Sequence, residues 1–127
     1  MGQVHRLVAA ESAVIDKSVL TKLRLRDGER KSRDAVDRMI FQATDKLCQI
    51  EKAIGLDERE RSIELAKDLI QIGASSGMIC LNDVAFDLMD CLQNEDRIAT
   101  QAVLARLMRM GEDSLFALID YTDRTMV

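Results

Sequence analysis

Residues 32–54 read SRDAVDRMIFQATDKLCQIEKAI. Val36, Ile40, Ala43, Leu47, Ile50 and Ile54 recur at alternating spacings of four and three. That alternation places six apolar side chains on one face of a 3.6-residue helix, and Met39 broadens the stripe. The pattern predicts a helix of about seven turns with one buried face. Gly55 follows the last stripe residue and is read as the glycine that ends the helix in a left-handed conformation. A single stripe of this length has to be buried against other elements, and because the rest of the chain also reads as helix the expected fold is all-α.

Working outward, the rest of the chain supplies those helices. Asp57 opens a segment whose first turns carry Glu58, Glu60 and Glu64, where negative charge suits the helix dipole. It continues through Leu65, Leu69 and Ile72 to about Gly77. Residues 81–93 place Leu81, Val84, Ala85, Leu88 and Leu92 on one face. The last segment starts near Glu95 and runs through Ile98, Ala102, Leu104, Leu107 and Met108. Two readings of its end stay open: it extends past Gly111 to Leu115, Leu118, Ile119 and Tyr121, or it is kinked or broken at that glycine. Upstream, residues 3–15 and residues 17–25 read as two short helices, the second capped by Asp16 and closed by Gly28. The polar stretch from Thr122 is expected to fray. The resulting expectation is a helical lead over residues 1–14, a bundle over residues 15–122 and a tail over residues 123–127. Links this short favour an antiparallel up-down-up-down four-helix bundle with one or two short N-terminal helices.

Composition agrees and narrows function. The 127 residues contain no proline and 3% aromatics, against 47% hydrophobic and 31% charged residues. A β-sandwich needs turns and strand-forming aromatics that this chain lacks. Eighteen Lys and Arg face 22 Asp and Glu, for a net charge of −4. No basic block is interleaved with stacking aromatics, so nucleic acid is not an expected partner. No apolar run approaches the ~18 residues of a membrane span, and the first ten residues lack a secretory pattern. Cys48, Cys80 and Cys91 are odd in number and lack metal-ligand spacing, as expected of reduced residues in a cytoplasmic protein. Carboxylates at Glu58, Glu60, Glu64, Asp83, Asp87 and Asp90 would need Glu-x-x-His partners to build a di-metal site, and the single histidine is His5. No metal, cofactor or enzymatic activity is expected. Gly73, Ser75, Ser76 and Gly77 read as a close-packing stretch.

The segment after Asp57 has a second apolar strip. With Lys67 at zero on a helical wheel, Leu65, Leu69, Ile72 and Ser76 lie on the opposite side. Ile63, Ala74 and Ile70 flank Lys67, with Gln71, Glu60 and Glu64 on its other side. Three occupants fit such a strip: a partner protein, the N-terminal helix folded across it, or a second copy forming a homodimer.

At this segment the chain resembles the histidine-containing phosphotransfer domain of bacterial multistep phosphorelays. That family carries a pattern like Ala-His-x-Leu-Lys-Gly, a glycine six residues further on, then spaced leucines. Here Ala66-Lys67-Asp68-Leu69-Ile70-Gln71 is followed by Gly77, Leu81 and Leu88 without a gap. Val14-Ile15-Asp16, Val19-Leu20 and the Gly55-Leu56-Asp57 turn are also in family order. The resemblance spans residues 14–121 and implies a four-helix bundle in two-component signalling. Three positions depart from the pattern. Lys67 stands where the family carries its phosphorylated histidine, Ile70 where it has a lysine beside the phosphoryl group, and Gln71 where a glycine admits the partner.

Chemistry weighs these changes. Phosphoryl relay needs a neutral, exposed imidazole that titrates near the working pH. A lysine amine on a solvated helix face has a reference pKa of ~10.4 and is not nucleophilic at neutral pH. The resemblance therefore implies a pseudo-phosphotransfer domain. It would bind a receiver domain or a histidine kinase through Lys67, Ile63, Ile70, Gln71, Ala74 and Glu64 without relaying phosphate. The alternative is an assembly protein that forms a homo-oligomer through the Ile63/Ile70/Ala74 strip.

Overall fold

A computed structural model describes residues 13–125. Among these residues the chain forms five helices: α1 (Lys17–Asp27), α2 (Glu29–Gly55), α3 (Arg59–Ser76), α4 (Ile79–Gln93) and α5 (Arg97–Thr125). The all-α expectation holds. Helices α2 to α5 run up, down, up and down, and α2 packs on α3, α3 on α4, α4 on α5 and α5 back on α2. The helix expected over residues 3–15 lies outside the described residues up to position 12, and residues 13–16 have no helical structure.

The helices differ in length, and the difference positions α1. At 1.5 Å per residue, α2 and α5 are about 40 Å long, while α3 and α4 are about 25 Å. Near the start of α2 and the end of α5, the bundle therefore lacks two of its four walls. Helix α1, about 16 Å long, packs there against α2 and buries Leu20 and Leu23. Its start is fixed by the predicted cap: the Asp16 carboxylate accepts from the Ser18 backbone N–H at 3.1 Å and from the Ser18 hydroxyl at 2.6 Å. Its end is fixed by Gly28, whose φ of 85° suits a residue without a Cβ and whose N–H donates to the Arg24 carbonyl.

The entry to α1 is pinned to the turn between α3 and α4. The Asp16 N–H donates to the Gly77 carbonyl at 2.8 Å. Gly77 is left-handed, with φ 77°, and a Cβ there would lie 2.6 Å from the Asp16 carbonyl oxygen. One residue thus satisfies the C-terminal cap of α3 and the close approach of a second backbone.

The core is aliphatic. Val36, Leu47, Ile50, Leu65, Leu69, Leu81, Leu88, Leu107 and Leu118 are buried, joined by Met78 and Met110. Six buried Ser and Thr residues accompany them. Five send their hydroxyls to helical carbonyls of their own chain segment, as Ser62 does to Glu58 and Thr122 to Leu118. Ser114 Oγ is the buried hydroxyl left without a partner among the described residues.

Two expectations need correction, at Gly55 and Thr122, and the open alternative at Gly111 is decided. Gly55 is the last residue of α2 and takes no left-handed conformation; Asp57 does, with φ 58°. The turn is closed by backbone bonds from Asp57 to Ile54 and from Glu58 to Ala53, and a short polar side chain tolerates that region. Gly111 neither breaks nor ends α5. It is buried inside a continuous helix, and a Cβ there would meet Leu47 Cδ1 at 2.6 Å, so the glycine brings α5 close to α2. The stretch from Thr122, expected to fray, is helical through Thr125. Thr122 is buried, Arg33 pairs with Asp123 at 3.0 Å, and Arg24 donates to the Thr125 carbonyl at 2.9 Å.

Two outcomes check this account. Gly77→Ala should destabilise the fold by roughly 2–3 kcal/mol, from left-handed strain plus the clash with Asp16. Gly55→Ala should leave stability unchanged or raise it by up to about 1 kcal/mol; urea midpoints at constant slope measure both. The Ser18 hydrogen bonds hold the Asp16 carboxyl below its ordinary range. Its contribution is complete above the ordinary carboxylate pKa and is lost as pH falls through the lowered value. Any stability advantage of the native chain over Asp16→Asn at neutral pH should therefore disappear on acidification.

Candidate functional site

Helix α3 sits between α2 and α4, and this decides which of its faces remain free. Leu65, Leu69, Ala66, Ser62, Gly73 and Ser76 are buried. Around the helix these residues span a broad sector. Lys67, Glu64, Gln71 and Ala74 are exposed. Ile63 and Ile70, expected to form a separate apolar strip with Ala74, are half-buried and pack against the core at the sector's edge. The core reaches them because α3 is flanked on both sides. Ile72, expected in the core stripe, is only partly buried and borders a groove.

Lys67 projects from the middle of α3, and its ammonium makes no ion pair or hydrogen bond among the described residues. Its neighbours are engaged toward α2. Asp68 meets Lys46 at 3.4 Å, and Arg61 donates to Gln49 at 3.0 Å. A groove of about 370 Å³ runs beside them between α2 and α3, lined by Phe41, Asp45, Lys46, Asp68, Gln71 and Ile72. Phe41 is 75% exposed on its rim.

On the other side of Lys67 lies α4. The two helices touch where Gly73 meets Asn82: a Cβ at Gly73 would overlap the Asn82 amide. The Asn82 carbonyl oxygen is buried there without a hydrogen-bond partner among the described residues. This antiparallel register brings Ile70 level with the Ala85–Phe86 turn of α4. Phe86 is 53% exposed and Ile79 is 44% exposed. The sequence reading missed both, although a phenylalanine set among Asp83, Asp87 and Asp90 on an outward stripe was a visible signal. Together α3 and α4 carry three bases and six acids. Lys67 is thus one cation on a mostly acidic, partly apolar surface.

The larger hollow, of about 410 Å³, lies nearer the start of α3, between the α2–α3 and α4–α5 turns. Its charges answer one another: Arg97 pairs with Asp57 at 2.7 Å, and Arg59 donates to the Leu92 carbonyl at 2.7 Å. Asp57 and Glu95 both take left-handed conformations there.

Among the described residues no three His, Cys, Asp or Glu side chains converge to hold a metal. The single histidine, His5, lies outside them. Burial, and after it the carboxylates of Asp96, Asp87 and Asp90, push the Cys91 thiol upward, away from reactive thiolate. Among the described residues no helix is long and apolar enough to cross a membrane.

No known family profile matches the sequence, and no curated protein does. The fold does have a solved counterpart. The crystal structure of histidine-containing phosphotransfer protein B (HptB) from Pseudomonas aeruginosa PAO1 superposes with a TM-score of 0.79. The match covers 87% of this chain and 95% of that one, at 14% identity. The chain therefore has the fold of a histidine-containing phosphotransfer protein.

The exposure of Lys67 gives a direct check. Lys67→Ala should change folding stability by no more than about 0.5 kcal/mol, read by urea denaturation. A larger loss would mean that the side chain supports the bundle.

Proposed function

We propose that this chain is a pseudo-phosphotransfer domain of bacterial two-component signalling. It acts in the cytoplasm as a non-enzymatic binding module. Its partner is a response-regulator receiver domain or a histidine kinase, and the contact is made through the Lys67 face. The observation that carries this reading is Lys67 itself: an exposed cation, unpaired among the described residues, on a phosphotransfer fold, at the position where the sequence resemblance to the family motif puts histidine. Ile63, Ile70 and Ala74 border it with apolar surface, and Gln71 and Glu64 supply polar rim groups.

The chemistry of position 67 separates docking from transfer. A phosphorylated receiver hands its phosphoryl group to a neutral imidazole nitrogen, whereas a protonated amine has no lone pair to offer. Docking needs no such group. An ammonium held beside the carboxylates of a receiver's acidic pocket gains Coulomb energy that salt screens.

An NMR titration of the labelled chain with purified receiver domains from its own organism tests the reading. Shifts centred on Lys67, Ile70 and Ala74 with one receiver are expected, and Lys67→Glu should weaken that binding roughly tenfold or more. Radiolabelled phosphoryl groups should stay on the receiver. No shifts with any receiver would overturn the partner class, and label appearing on this chain would overturn the non-relaying role.

A further inference from the structure

The outward stripe of α4 has a chemistry of its own. Ile79, Asp83, Phe86 and Asp90 follow at four-, three- and four-residue spacing, which sets them on one helical face. Two large apolar side chains alternate there with two carboxylates, and neither carboxylate makes an ion pair among the described residues. The whole helix carries three aspartates and no base. A surface of this kind is complemented by an apolar knob framed by cations.

The same chain presents such a knob. Helix α1 has Lys17, Lys22, Arg24 and Arg26 against one acid, Asp27. Leu20 and Leu23 do its packing, while Leu25 is 80% exposed. Lys22 lies on the same exposed side and makes no ion pair among the described residues. Among the described residues Arg26 pairs with its neighbour Asp27, at 2.9 Å. Leu25 and Phe86 are both exposed, so neither is covered by the described residues of its own chain.

We infer that α1 of one copy docks on the outward stripe of α4 of a second copy, with Leu25 against Phe86 and Ile79 and with Lys22 and Arg26 facing Asp83 and Asp90. The inference needs no other protein and stands apart from receiver binding. Contact between two short helices falls below the ~1,200 Å² of a stable complex, so the association is weak and salt-dependent. It would also cover surface adjoining Lys67, setting self-association against partner binding.

Sedimentation velocity of the full chain tests this at about 20 mM and about 500 mM salt. The weight-average sedimentation coefficient should rise with protein concentration at low salt. The apparent dissociation constant should weaken roughly tenfold or more at high salt. The paired variants Asp83→Lys/Asp90→Lys and Lys22→Glu/Arg26→Glu should each lose the low-salt association. The chain carrying all four substitutions should regain it, because opposite charges face each other again. Far-UV circular dichroism verifies that each variant is folded. A chain that stays monomeric at low salt, an association indifferent to salt, or a folded fourfold variant without recovery would overturn the proposal. Receiver binding is read in a separate titration, so either reading can fail alone.

Discussion

The arrangement depends on the meeting of two backbones at Gly77. Helix α3 ends there and α4 begins just beyond, while the strand-like approach to α1 passes close enough for Asp16 to hydrogen-bond the glycine carbonyl. Only a residue without a Cβ fits between them. Through this joint the short helix is held under the α3–α4 turn, where the longer α2 and α5 would otherwise show their apolar sides to water. The buried leucines of α1 and the long stripes of α2 and α5 are therefore solved together.

Much of this was legible in the sequence because it rests on repetition. The four-three spacing of α2, the Asp16 cap and the Gly28 break are strong local signals, and each has a counterpart in the structure. What escaped was set by neighbours. Gly111 looks like a helix breaker in isolation, yet its missing side chain makes room for Leu47 from a helix more than sixty positions earlier. Gly55 looks like a terminator, yet backbone bonds move the left-handed residue to Asp57. On α3 the small residues Ser62, Ala66 and Gly73 carry little hydrophobic signal. They are nevertheless buried, and they widen the core sector until it reaches Ile63 and Ile70.

The candidate site was half legible for the same reason. Lys67, Gln71, Glu64 and Ala74 stand on the exposed side of α3, where helical geometry places them. The contribution of α4 could not be read from α3 alone, because it follows from the register that Gly73 and Asn82 impose between the helices. With α4 added, the surface becomes a mostly acidic, partly apolar face that includes Lys67. The ion-paired hollow between the turns is a separate feature, nearer the start of α3.

The exposure of Lys67 bears on how such a protein changes over generations. No core atom rests on that side chain, so the bundle folds equally well around lysine, histidine or any other hydrophilic helix former at position 67. Purifying selection for a folded chain has no grip there, and only use can hold a particular residue in place. Gly77 is in the opposite situation, since every replacement disturbs the architecture whatever the protein is used for. The residue on which the proposed contact turns and the residue that defines the scaffold stand ten positions apart on one segment, and they answer to different pressures.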